Sequence, residues 1–395
     1  MSTGPSPAPS DDARSAGASQ AEASQAGASP FEDRLDRVRA RMTELGVDVL
    51  ALSVGPDLPW LCGYEAMPLE RLTMLVVPVD GEATLVVPGL EAPRVRERPG
   101  LFSLRPWGET EDPVAIVAGL TGAAGTVAIG DRTWARFVID LQHALPGSRL
   151  VRAADVTVPL RAVKDAAEIR ALRAASAAAD RVARQLQAGE VALVGRTEAE
   201  ISADLGRRLI DEGHQKVNFA IVAAGPDAAS PHHEPGARVV QEGEVVLCDF
   251  GGTMADEHGV GYCSDITRCV WTGEPDGAAA EIYEVLRTAQ EAAFDAVAPG
   301  VAAEDVDAAA RTVIEAAGLG ERFVHRTGHG IGVEEHEDPY VVAGNRDELV
   351  VGNAFSIEPG IYLPGRLGFR LEDIVVVGAD GGERLNVVDR GLIAT

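Results

Sequence analysis

Val245-Val-Leu-Cys-Asp-Phe250 and Arg370-Leu-Glu-Asp-Ile-Val-Val-Val377 each place a carboxylate against a run of apolar, strand-forming residues. Asp249 follows the first run and Glu372 precedes the second. Two further acids have the same setting: Glu358 after Phe-Ser-Ile, and Asp265 within Tyr262-Cys-Ser-Asp-Ile-Thr267. Burying an unpaired carboxylate is costly, so each must be protonated, paired with a cation or bound to metal. One such residue alone reads as a structural salt bridge. Four, arriving in two pairs (249 with 265, 358 with 372), point to a shared centre. The nearby bases Arg268, Arg366 and Arg370 are too few to neutralise four acids, whereas two divalent cations balance them. His329, in Thr327-Gly-His-Gly-Ile-Gly332, offers a neutral nitrogen to the set, and its flanking glycines allow backbone and substrate to approach. A histidine by itself reads as a core or surface residue; the company of the acids makes it a candidate ligand. Four oxygen donors and one nitrogen favour Mn²⁺ first, then Co²⁺ or Fe²⁺, over a thiolate zinc site, with Zn²⁺ still accommodated.

Working outward, each strand pair is preceded by two helices. Asp165-Ala-Ala-Glu168 is a capping-box start, with Ile169, Leu172, Val182 and Leu186 on helical spacing and Gly189 as a stop. A second helix starts at Thr197 and ends near Gly213, and strands 245–250 and 261–271 follow. The order then recurs: helices at about 278–298 and 304–317, then strands 354–357 and 369–377. The fold class is α+β, with two pseudo-symmetric helix-helix-strand-strand units whose strand pairs meet around a central site.

A smaller α/β domain is expected ahead of them over residues 31–158, with the catalytic domain over 159–395. It reads as a helix over 31–45, a strand over 47–54, a hairpin of 73–79 and 83–87 through Asp80-Gly81, a strand at 126–129 and a helix at 135–145. No catalytic constellation appears in it, and 158–164 reads as a connection. Residues 1–30, rich in Ala, Ser, Gly and Pro, read as a disordered tail without the pattern of a signal peptide. Lys and Arg total 35 against 61 Asp and Glu, a net charge of −26 that argues against a nucleic-acid partner. The apolar runs are too short to span a bilayer. Cys62, Cys248, Cys263 and Cys269 form no CxxC pair and read as reduced and buried, which places the chain in the cytoplasm.

The runs Leu247-Cys-Asp-Phe-Gly251, Gly261-Tyr-Cys-Ser-Asp-Ile-Thr-Arg268, Gly328-His-Gly-Ile-Gly332, Ser356-Ile-Glu-Pro-Gly360 and Arg370-Leu-Glu-Asp373 resemble those of the pita-bread metallopeptidases, the group of prolidase, aminopeptidase P and methionine aminopeptidase, with creatinase as a relative. The resemblance covers about residues 160–395, and the N-terminal part is similar to the creatinase/prolidase N-terminal domain. It implies that Asp249 binds one metal, His329 and Glu358 the other, and that Asp265 and Glu372 bridge both. It implies roles for His232 near the scissile bond, for His336 on the tetrahedral intermediate, and for His325, Tyr362 and Arg370 around the proline-side pocket. Arg370 also stands two residues before Glu372, on the same strand face. Glu358 doubles as the expected general acid/base.

The expected reaction is hydrolysis between an N-terminal residue and proline by a metal-bridging hydroxide, in an Xaa-Pro dipeptidase or Xaa-Pro aminopeptidase. The expected partners are small peptides with proline second, no nucleic acid, no membrane, and further copies of the chain in a homodimer or higher oligomer. The alternative is a creatinase-like or lyase activity on the same scaffold, disfavoured because all five ligands are present. A binding module of the RNA-binding kind would need basic insertions, which are absent. The two aspartates lie further apart than is usual in the group, so residues 255–260 are expected to lengthen a turn. Asp256, Glu257 and His258 there read as an exposed loop rather than a metal cluster. His233 is ambiguous beside the preferred His232.

Overall fold

The computed structural model describes residues 29–395; most of the segment read as a disordered tail lies outside them. The N-terminal unit opens with α1 (Pro30–Leu45), whose Phe31, Leu35, Val38 and Met42 fall on one face and are buried. Each such side chain contributes roughly 1.5–3 kcal/mol on leaving water. Next come β1 (Val49–Leu52), α2 (Asp57–Cys62), β2 (Met74–Pro78), β3 (Ala83–Pro88), β4 (Phe102–Trp107), α3 (Pro113–Thr121), β5 (Thr126–Ile129), α4 (Ala135–Ala144) and β6 (Arg149–Arg152). The sheet order is β4-β3-β2-β1-β5-β6, with β2 and β3 paired antiparallel across the expected hairpin and β1, β5 and β6 parallel. The stretch read as a connection is mostly helix: α5 (Ala154–Ala162) carries Pro159 in its interior. A proline usually marks a break, but here buried Val156 and Arg161 anchor the helix on either side of it.

The remainder holds α6 (Ala166–Gln187), α7 (Glu198–Asp211), β7 (Lys216–Ala224), β8 (Val245–Ala255), β9 (Gly261–Cys263), β10 (Ile266–Trp271), α8 (Gly277–Asp295) and α9 (Ala303–Ala316). After these come β11 (Gly328–Gly330), β12 (Glu337–Val341), β13 (Ala354–Ile357), β14 (Gly360–Leu363), β15 (Leu367–Arg370), β16 (Asp373–Gly378), β17 (Gly381–Arg384) and β18 (Ile393–Ala394). Capping boxes Asp165/Glu168 and Thr197/Glu200 start α6 and α7, as their spacing predicts. These helices cover the sheet β18-β10-β8-β7 through Val182, Leu186, Ile201 and Leu205 against Val246, Cys248 and Phe250. Helices α8 and α9 cover β12-β11-β13-β16-β17 through Leu286, Ala293, Val306 and Ile314 against Phe355, Ile357, Val375 and Val377. The doubled helix-pair-on-sheet pattern is therefore present, though each sheet has more strands than the sequence pattern announced.

Two details position the acids. The expected strand 261–271 is broken between β9 and β10, and Asp265 sits in the break. At that point β8 and the Ser264 backbone close tightly: a Cβ on Gly251 would stand 2.1 Å from the Ser264 carbonyl oxygen, so only glycine fits. The second detail is a core that crosses between the units. Phe31, Trp60, Leu172, Tyr262, Ile331 and Ile374 belong to it. Trp60 Nε1 donates to Glu168 Oε1 (3.1 Å) and buried Arg34 pairs with Asp165 (3.1 Å). The turn at 256–260 packs there too, less exposed than expected. Asp256 Oδ1 accepts from the His258 and Val260 backbones (2.8 Å each), and the His258 ring meets Phe31 edge-on. Asp256 thus closes the turn. All four cysteines are buried and unpaired, and no helix among the described residues is long and apolar enough to cross a membrane.

Candidate active site

The five expected ligands come from different elements and converge. Asp249 lies in β8 opposite Thr267 of β10. Glu358 and Glu372 face each other across the break where the β13–β16 ladder, ending at Ile357 and Asp373, passes into the β14–β15 hairpin, starting at Gly360 and Arg370. So Asp265, Glu358 and Glu372 all sit at joints between strands, where the chain bends and a short carboxylate can turn away from the sheet. His329 is in β11, which fits only as glycines flank it: a Cβ on Gly328 would stand 1.8 Å from the Ser356 carbonyl oxygen. Ligand atoms of Asp265, His329 and Glu372 lie within 4.8 Å of one another. His329 Nε2 is 3.2 Å from Glu358 Oε1 and 3.9 Å from Asp265 Oδ2.

A cation set fits these residues on three observations. First, Asp249 Oδ1, Asp265 Oδ1 and Glu372 Oε1 are buried with no hydrogen-bond partner, a state that costs several kcal/mol per charge unless something neutralises it. Second, the Asp265 and Glu372 carboxyls are raised well above their ordinary range, by burial first and then by the neighbouring carboxylates. Third, His329 Nδ1 lies 3.1 Å from the Gly330 carbonyl, which can only accept, so Nδ1 carries the proton. In the neutral ring the Nε2 lone pair then faces two carboxylates, and a proton or a cation must stand between. Burial would raise Glu358, but His329 first, with His325 and Arg370, outweighs this and holds it at about 2.

These groups line a cavity of about 450 Å³ together with His232, His325, His336, Arg370, Phe219, Ile221, Pro231 and Arg326. Of the ten expected site residues only Tyr362 is not in the wall; it stands behind it. Its hydroxyl accepts from Arg370 Nη1 (2.9 Å) and contacts His325 Nε2 (2.9 Å). His325 Nδ1 is 2.7 Å from the Arg326 carbonyl and must donate to it. The Nε2 of the neutral ring therefore accepts from Tyr362, and burial, which lowers the His325 pKa, favours that neutral form. Arg370 also donates to Asp249 Oδ2 (2.5 Å) and to the Pro231 carbonyl (3.1 Å). His336 is pushed down to about 4 by burial and by His329, so its ring is neutral at neutral pH. Its ring centroid stands 3.9 Å from that of His329.

His232 is in the wall and His233 is not: His233 Nε2 meets buried Glu198 (2.7 Å), which also accepts from the backbones of Ala224 and Gly236. Other supports were invisible in the sequence. Thr267 Oγ1 donates to Glu372 Oε2 (2.8 Å), and Asp307 accepts from both N and Oγ1 of Thr327. Ser264 Oγ is tied to His214 Nε2 (2.8 Å) beside Asp265. Phe219 and Ile221 were missed with their strand; the only signal was their alternation in Asn218-Phe-Ala-Ile221.

The model of metallopeptidase family M24 matches residues 170–379, and that of the creatinase/prolidase N-terminal domain matches 34–163. The chain is 46% identical over 367 residues to the probable dipeptidase PepE of Mycobacterium tuberculosis, covering 92% of this chain and 96% of the relative. It is 35% identical over 370 residues to the Xaa-Pro dipeptidase of Lactobacillus helveticus, covering 91% and 98%. The crystal structure of recombinant prolidase from Thermococcus sibiricus superimposes with a TM-score of 0.87 at 35% identity, covering 93% of this chain and all 100% of that one.

Proposed function

Because the chain belongs to metallopeptidase family M24, we propose that it hydrolyses the bond between an N-terminal residue and a following proline, with dipeptides as the first substrates to test. One observation carries this reading: five potential ligands, three of them with an orphaned carboxylate oxygen, share one cavity with His232, His336, His325 and Arg370, the last two joined through Tyr362 behind the wall. The relatives named Xaa-Pro dipeptidase and prolidase support the choice of proline. Two divalent cations held by Asp249, Asp265, His329, Glu358 and Glu372 would supply an activated water and polarise the scissile carbonyl.

The chain's own residues do the rest. The contacts of Glu358 with His329 and Ser356 fall on Oε1, which leaves Oε2 to take a proton from the attacking water and return it to the proline nitrogen. That nitrogen leaves as a secondary amine and needs the proton. His336, neutral and in the wall, can donate an N–H to the oxygen that becomes negative, and His232 joins it in the wall from the loop between β7 and β8. His325, locked by its two hydrogen bonds, and the apolar Phe219 and Ile221 give the proline ring a shaped, partly dry place. Manganese is the leading ion for so oxygen-rich a set, and a cytoplasmic homodimer belongs to the same proposal.

The test strips the metals, restores Mn²⁺, Co²⁺, Fe²⁺ and Zn²⁺ singly, and assays Xaa-Pro dipeptides beside Xaa-Pro-Yaa tripeptides and Xaa-Ala dipeptides. The expected result is metal-dependent cleavage before proline; inactivity on every proline substrate with every ion overturns the reading.

A further inference from the structure

His336 projects into the cavity, yet no side-chain hydrogen bond among the described residues holds its imidazole. Beyond its ring contact with His329 at 3.9 Å, its position comes from its backbone, and that backbone is pinned by charge. The next residue, Glu337, is buried, as are its partners: their side chains are 7% exposed for Glu337, 5% for Arg161 and 1% for Lys164. Lys164 Nζ grips Glu337 Oε1 and Arg161 Nη2 grips Oε2. Arg161 reaches on to Asp57 Oδ1 (2.9 Å) in the first turn of α2 and to Glu334 Oε2 (2.9 Å), while Arg132, just beyond β5, takes the other oxygen of Glu334. Lys164 Nζ also donates to the Arg161 carbonyl (2.6 Å). Three cations and three carboxylates thus bracket residues 334–337 from both ends, with His336 between them. Every cation comes from the N-terminal unit or from the three residues that follow α5. The far side of Glu337 pairs in register with Gly330, next to His329.

We propose that Glu337, gripped by Arg161 and Lys164, is the positioning residue for His336, so that the N-terminal α/β unit sets the geometry of a catalytic group it does not itself contain. The proposal rests on the role given to His336 above. A buried ionic cluster is a poor source of stability, because desolvation offsets the attraction. It is a good source of geometry, because a carboxylate held at both oxygens by a planar guanidinium and an ammonium has one place to be. A segment without that grip could shift by the ångström that a catalytic hydrogen bond does not tolerate.

The experiment measures kcat, KM and metal content of the metal-loaded full chain on an Xaa-Pro dipeptide. It compares the parent, Glu337→Gln, His336→Ala and the double variant, with Arg161→Lys, which keeps the charge and loses the fork, run through the same cycle should Glu337→Gln not fold. Support to a site of this kind is typically worth roughly 10–100-fold. The expected result is a kcat loss of that order in Glu337→Gln, a KM within about threefold, bound metal equal to the parent's, and a further loss below about twofold when His336 is already alanine. Equal losses in the two backgrounds, a parent-like kcat, or lost metal each overturn the positioning role. If His336→Ala itself turns over like the parent, the reading of His336 fails and takes this one with it. An impaired His336→Ala with equal losses sinks the lock alone.

Discussion

Replacing Asp265 by asparagine should make the metal-free protein more stable and the metal-loaded protein less so. Oxygens of Asp265 and Glu372 can approach within 4.8 Å. Two unit charges at that separation repel by about 3.5 kcal/mol at an effective dielectric constant of ~20. Proton uptake by the pair, whose carboxyls are both raised, limits the penalty actually felt, so this figure is a ceiling. With an unfolding entropy of roughly 2.1 cal/mol/K per residue, a chain of 395 residues converts it into a rise in melting temperature of up to about 4 °C. Asparagine keeps the shape and adds an N–H donor toward Glu372. With cations present the sign reverses, because a site at a hundredfold excess of ion over its Kd stabilises the fold by about 2.7 kcal/mol and the variant has lost a ligand. Differential scanning calorimetry of parent and variant, each with excess chelator and with excess Mn²⁺, reads all four states. A chelated variant that melts at or below the chelated parent refutes the repulsion; a variant that Mn²⁺ stabilises as much as the parent refutes the ligand role.

Tyr362→Phe removes the acceptor of Arg370 and the donor to His325, and should cost about 1–3 kcal/mol by urea unfolding and lower kcat/KM; unchanged values of both would contradict the relay. Glu198→Ala leaves the buried Ala224 N–H unpaired, at roughly 1–3 kcal/mol, and frees the half-buried Gly236 N–H at a smaller cost. It should loosen the loop bearing His232, seen as faster proteolysis near residues 230–236. The Glu337 carboxyl is raised by burial but held net low by Lys164 and Arg161. Its stabilising contribution is therefore present above the ordinary glutamate pKa of about 4.3 and is lost as pH falls toward its folded value. Glu337→Gln should flatten the acid limb of the stability curve in denaturant titrations, and a parallel limb would argue against the ion cluster.

The site was more legible in the sequence than the sheet that carries it. Asp249, Glu358 and Glu372 stood out because acids beside Val-Val-Leu-Cys or Ile-Val-Val-Val contradict their surroundings, and the structure brings them together with Asp265 and His329. The helices of the C-terminal part were legible for a related reason: Asp165 and Thr197 announce their starts by capping chemistry. β7 was missed because much of it is half-buried against the cavity, so its alternation is weak. β11 was missed because Gly-His-Gly has no strand preference of its own; close packing against the Ser356 and Asp338 carbonyls, not propensity, makes it a strand. The break at Glu358 was legible, since Pro359-Gly360 follows it and the strand reading ends at Ile357; those at Asp265 and Glu372 were not, because strand-forming residues stand on both sides of each. The clamp of Glu337 by Arg161 and Lys164 joins residues more than 170 apart in sequence, and no local pattern encodes such a contact.

That three of the five proposed ligands, Asp265, Glu358 and Glu372, sit at strand joints has a consequence for biosynthesis. Asp249 and Asp265 are made first, His329 and Glu358 later, and Glu372 last. Neither half holds a complete donor set, so a growing chain carries no competent centre until β16 has been made and has closed against β13. On the proposed ligand set, the last joint to form is thus the one that completes the centre, and a truncated or half-folded product lacks it.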